Sequence, residues 1–193
     1  MKQLTQLALV FAFVLGASFN AKAALLIEPV IGYNLNSKLE MKFDDAITAA
    51  AMNDNLSGGR GAAYGGRLGY QQLGFQLGLD YLNSTISGGD FDDDMKINEW
   101  AGFIGYEFPI LFRVYAGYIF SGTGKTKING DTSTLKKESG TKLGVGFTGL
   151  PFIDINLEYR RATWTEFSSG GTDYDGKFSY STIMLGLSVP FTI

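Results

Sequence analysis

The sequence predicts an all-β chain: an eight-stranded antiparallel transmembrane β-barrel with up-and-down meander topology. Three observations carry that expectation. Beyond the first two dozen residues, apolar and polar side chains alternate with period two almost everywhere, as in strands whose two faces meet different surroundings. The composition suits strands and tight turns, with 26 Gly, 15 Phe and 10 Tyr against 4 Pro in 193 residues. The connections between alternating segments run long and short in turn.

The chain opens on an export segment. Lys2 gives a positive end, Leu7 to Phe19 form an apolar run, and Ala21-Lys22-Ala23 has the small-x-small form that a signal peptidase accommodates. Residues 1–23 are therefore expected to be a signal peptide and 24–193 the barrel domain. The apolar run falls short of the roughly 20 residues a spanning helix needs. Removing this segment leaves 14 basic against 19 acidic residues, with no aromatic-flanked basic patch, so no nucleic-acid partner is expected. The absence of cysteine excludes a disulfide scaffold, thiol chemistry and lipid attachment through an N-terminal cysteine.

Each strand follows from its alternation. The first sets Ile27, Pro29, Ile31 and Tyr33 against Glu28, Val30 and Gly32. The second, near Gly61 to Tyr70, sets Tyr64, Leu68 and Tyr70 against Gly65, Arg67 and Gly69. The third turns Phe75, Leu77, Leu79 and Tyr81 away from Gln76, Gly78 and Asp80. In the fourth, near Ile97 to Phe108, Trp100, Ile104, Tyr106 and Phe108 oppose Glu99, Phe103 and Glu107. The fifth, Phe112 to Ser121, opposes Val114, Tyr118 and Phe120 to Arg113, Tyr115 and Ile119. The sixth separates Leu143, Val145 and Phe147 from Lys142, Gly144 and Gly146. The seventh separates Ile153, Ile155, Leu157 and Tyr159 from Asp154, Asn156, Glu158 and Arg160. The last aligns Ile183, Leu185, Leu187, Val189, Phe191 and Ile193. Helical period is confined to a possible short turn or helix at Asp44 to Met52.

Long connections are expected around residues 36–60, 84–95, 122–138 and 163–178, and short ones at YQQLG, EFPIL and TGLPF. An even strand count then puts both chain ends on the short-turn side, in the periplasm, with four long loops outside the cell. A soluble barrel with an apolar ligand inside would need the opposite segregation, charges out and aromatics in.

That segregation explains a carboxylate in the apolar stretch LLIEPVIGY. The face toward lipid must be apolar, whereas the enclosed face holds charges if they are paired. Glu28, Arg67, Asp80, Glu99, Arg113, Lys142, Asp154, Glu158 and Arg160 are therefore expected inside the barrel as a structural charge network.

LIEPVIGY at Leu26 to Tyr33, the glycine-aromatic strands GFQLGLDY and RVYAGYIF, and the C-terminal LGLSVPFTI resemble, taken together, the outer-membrane β-barrel domain family of Gram-negative bacteria, in its eight-stranded OmpA-like form. The resemblance covers essentially the whole chain beyond the export segment. It implies a place in the cell outer membrane and contact with outer-membrane lipids and lipopolysaccharide. It implies a monomer and no shared enzymatic chemistry. It also implies a last strand read by the barrel insertion machinery. Here the chain departs from the usual terminal aromatic by ending in Ile193, with Phe191 two places earlier.

No catalytic, cofactor-binding or metal-binding residue is expected. With no His and no Cys, the chain lacks the usual general base and soft metal ligands. Asp90, Asp92 and Asp94 have a calcium-loop spacing, but Met95 stands where glycine is needed and Ala101 where the bidentate glutamate belongs. The expectation is a non-enzymatic barrel anchoring exposed loops, serving envelope integrity or surface contact. Its rival is a small passive channel.

Overall fold

The computed structural model describes residues 23–42, 55–128, 131–169 and 172–193; the export segment through Lys22 and the possible helix at 44–52 lie outside them. The described residues form β1 (Ala24–Lys42), β2 (Asn55–Gln72), β3 (Phe75–Gly88), β4 (Phe91–Phe108), β5 (Phe112–Ile128), β6 (Asp131–Leu150), β7 (Ile153–Ser169), β8 (Thr172–Ser188) and β9 (Phe191–Thr192). Each strand from β1 to β8 pairs antiparallel with its sequence neighbour, and β1 also pairs with β8. The sheet thus closes into an eight-stranded barrel. The last expected strand is interrupted at Val189-Pro190, because proline has no N–H for the ladder. The two-residue β9 resumes pairing with β1 through Leu26 and Ile27, and Ile193 exchanges two backbone hydrogen bonds with Leu25.

Lipid-facing side chains follow the alternation. Ile31, Tyr64, Leu68, Leu77, Ile104, Val114, Leu143 and Leu157 are all exposed on the outer wall. Aromatic pairs reinforce neighbouring strands at both edges of this belt, with Phe75 and Tyr106 rings 4.7 Å apart at one edge and Tyr81 and Trp100 4.8 Å apart at the other. The three short turns each hold a bulky apolar residue in the left-handed region: Leu73 at φ 50°, Leu111 at 68° and Phe152 at 65°.

The long connections differ from expectation. Strands β1 to β8 run 14 to 20 residues, although about 10 suffice to cross a bilayer. Most of 84–95, 122–138 and 163–178 is ladder: Ile86 pairs with Met95, Lys125 with Thr134, and Phe167 with Tyr174. The hairpins continue beyond the belt because alternation persists there with its polarity reversed. On β4, Met95 and Ile97 point inward while Lys96 and Asn98 point outward. On β8, Phe178 and Tyr180 point inward while Lys177 and Ser179 face out.

Candidate functional site

The barrel interior has two storeys. The lower, level with the apolar belt, gathers charged side chains from β1 to β7. Glu28, Arg67 and Asp80 stand directly opposite one another across β1, β2 and β3, so register alone places a cation between two carboxylates. The Arg67 guanidinium donates to Glu28 Oε1 at 3.1 Å, Asp80 Oδ2 at 2.9 Å and Glu158 Oε2 at 3.1 Å. Arg113 forks onto both oxygens of Glu28 at 2.8 and 2.7 Å, donates to Asn156 Oδ1 at 2.7 Å, and lies 3.5 Å from Asp154. Lys142 pairs with Asp80 and lies 3.8 Å from Glu158, while Arg160 bridges Glu158 and Glu99.

All nine residues expected inside are buried, and their ion pairs form one connected chain from Asp154 to Glu99. Tyr115 fills its centre, with the Arg67 guanidinium carbon 4.3 Å from the ring centroid. Gly144 makes that possible, since a Cβ there would run into the Tyr115 ring. Such an interior holds by mutual compensation. Each charge has lost water, and what offsets that loss is the counter-charge beside it.

The upper storey is apolar. Leu39, Ile86, Met95, Ile97, Ile119, Leu135, Trp164, Phe178 and Tyr180 form one buried cluster inside the extended hairpins. The Trp164 and Tyr180 rings lie 5.8 Å apart. Where the storeys meet, the buried Glu138 faces Glu99 and the Trp164 indole. Burial and the neighbouring Glu99 carboxylate push the Glu138 carboxyl well above the ordinary carboxylate range. Glu138 stands above the apolar belt, five positions beyond Leu143 on β6. Gly122 opens the room it occupies.

Ile119 faces in as expected, but Glu138 and most of the apolar plug lie in 36–60, 84–95, 122–138 and 163–178, where the sequence reading expects loops. The signal was present: carrying the inward positions Lys142 and Gly144 back by twos reaches Glu138. Asp90 is occupied as a turn residue, accepting from Ser57 N at 2.9 Å and Ser57 Oγ at 2.8 Å.

No family model and no curated protein sequence matches the chain. Among solved structures it is similar to Neisserial surface protein A, over 88% of this chain and 99% of that one, at 14% identity and a TM-score of 0.56. Ail, the attachment invasion locus protein of Yersinia pestis, aligns over 85% of this chain and 98% of its own at 14% identity, with a TM-score of 0.48. Closed meander, apolar outer belt and charged lumen define the class: the chain has the fold of the eight-stranded outer-membrane β-barrels.

Proposed function

We propose that the protein is a non-enzymatic integral component of a Gram-negative outer membrane, a closed barrel that anchors rigid hairpins for envelope integrity or surface contact. The observation that carries this is the doubly filled interior, an ion-paired lower storey beneath an apolar plug. Eight strands enclose a bore just wide enough for side chains to fill, and these side chains fill it. The interior carboxylates of the lower storey are engaged with arginine and lysine, which supports a structural role over acid–base chemistry. Ala24 and Ile193, the two ends of the described barrel, lie on the short-turn side, which is periplasmic in this proposal. Outer-membrane lipid, lipopolysaccharide and the insertion machinery are its partners, and the barrel works as a monomer.

Planar-bilayer recording of the purified protein, with alkaline washing of membranes from expressing cells, tests the proposal. Retention in the washed membrane with no steady conductance is the expected result. Steady conductance abolished by neutralising Arg67 or Arg113 would replace it with the passive-channel reading, and release by the wash would remove the membrane assignment.

A further inference from the structure

The first charged residue that the outer wall presents above the apolar belt is basic on seven of the eight strands, counted over the described residues. The eighth strand, β3, continues with Asn83, Thr85 and Ser87. The chain as a whole carries a net charge of -3, so this ring does not reflect composition. Nor is it symmetric: among the described residues no exposed lysine or arginine lies at the short-turn rim. The exposed acids Glu40, Asp90 and Asp94 stand farther out, toward the hairpin tips.

Two placements within the ring oppose ordinary stability. Lys96 and Lys125 are direct cross-strand partners on β4 and β5, both exposed, with no acidic partner among the described residues. Like charges so placed repel. Lys38 on β1 and Arg161 on β7 flank the small Ser181 of β8, leaving a gap of about 10 Å between cations two strands apart. Arg161 is two positions and Lys96 four positions beyond the last exposed belt aromatics, Tyr159 and Trp100. With about 3.3 Å per residue and a strand tilt of about 40°, this puts them roughly 5–10 Å above the belt. That is the depth of lipid headgroups.

We infer that this ring is a binding surface for phosphate-bearing lipid headgroups of the leaflet on the hairpin side, with Lys96–Lys125 and Lys38–Arg161 as its two principal sites. Continuity with the apolar belt selects a lipid: acyl chains against the belt deliver their own phosphates to the ring. Anionic headgroups there also relieve the Lys96–Lys125 repulsion. The inference rests on the membrane assignment above and gives the lipopolysaccharide contact a location.

The test titrates the full folded barrel, in zwitterionic detergent, with a diphosphorylated disaccharide glycolipid, its dephosphorylated counterpart and inorganic phosphate. The diphosphorylated lipid is expected to bind. Each neutralised cation should weaken it about fivefold, so Lys96→Gln with Lys125→Gln weakens it about 25-fold with no fall in the unfolding midpoint, since the repulsion between the two lysines is removed. Lys38→Gln with Arg161→Gln serves as the second, independent pair. Equal affinity for the dephosphorylated lipid, or undiminished binding by both double variants, overturns the inference. Competition by inorganic phosphate at equal concentration overturns the lipid source. Either result in a barrel that survives alkaline washing leaves the membrane assignment standing, whereas release by the wash strikes that assignment itself.

Discussion

The lower and upper halves of this barrel share the same strands and the same period, yet they are built inside out relative to each other. Below, charges face in and aliphatic and aromatic side chains face out. Above, Met95, Ile97, Trp164 and Phe178 face in while Lys96, Asn98, Arg161 and Ser179 face out. The backbone does not change; the solvent does. Lipid tolerates no outward charge, so polar groups withdraw into the lumen and must find one another. Water withdraws its support from outward apolar groups instead, so beyond the belt the same ladder folds like a small soluble core. The two halves therefore differ in what stabilises them: specific ion pairs in one, non-directional burial in the other.

The sharpest way to break the contrast is to remove one charge below. Arg67→Met takes a shared cation from Glu28, Asp80 and Glu158 and leaves each to the cation it still holds, Arg113, Lys142 and Arg160, with excess negative charge in the lumen. Breaking such a buried set costs about 3–5 kcal/mol, much of it the penalty of the partners left behind. Urea unfolding of the folded barrel should show that loss, and Glu28→Gln in the same chain should restore part of it. Additive losses would mean that the lower half is held by independent contacts.

Truncating one side chain above should cost less and act locally. Trp164→Ala opens a cavity among Tyr180 and the rest of the apolar cluster, at a cost of about 3 kcal/mol. No counter-charge is stranded, so no second substitution should rescue it. Hydrogen exchange is expected to rise in the hairpins around 86–95 and 162–180 while amides of the belt stay protected. Uniform loss of protection in both halves would show a single cooperative unit.

How much of this was legible in the sequence divides along the same line. In the lower half the alternation carried both strand and facing: Glu28, Arg67, Asp154 and Glu158 could be turned inward because Ile27, Leu68, Ile155 and Leu157 beside them had to meet lipid. Partners could not be read. Arg113 reaches Glu28 across 85 positions of chain, a distance that only barrel closure shortens. In the upper half a search for apolar-outward faces fails by construction, since Lys96, Ser179 and Thr163 occupy those positions and resemble loop residues. Two phases of one period describe the chain where one phase described half of it.

The boundary between the halves should respond to pH. Glu138 has its carboxyl pushed above the ordinary range by burial and by Glu99, so the folded barrel holds a proton that the unfolded chain releases. The native state then binds more protons than the unfolded one, and stability falls as pH rises above the ordinary carboxylate range toward the raised value. Glu138→Gln keeps the shape and removes the titration. Its stability should equal that of the parent in mild acid and exceed it increasingly at alkaline pH, measured by urea midpoints across the range. A parallel pH dependence in the two proteins would place the titration elsewhere.

The smallest effect is expected from an ion pair that lies in neither interior. Lys137 and Glu166 pair on the outside of the upper hairpins, where the lysine side chain is 67% exposed and the glutamate 28%. Both ends remain wetted, so attraction is weak and the ordering of two long side chains offsets much of it. Lys137→Gln should change stability by less than about 1 kcal/mol, and the change should fade as salt is raised from low to physiological concentration. The contrast with Arg67 is then the measure of the barrel wall. One substitution removes a cation that water could have replaced, the other a cation that nothing inside the lumen can replace. A loss at Lys137 as large as that at Arg67 would mean that the outer surface of the hairpins, like the lumen, is shut off from solvent.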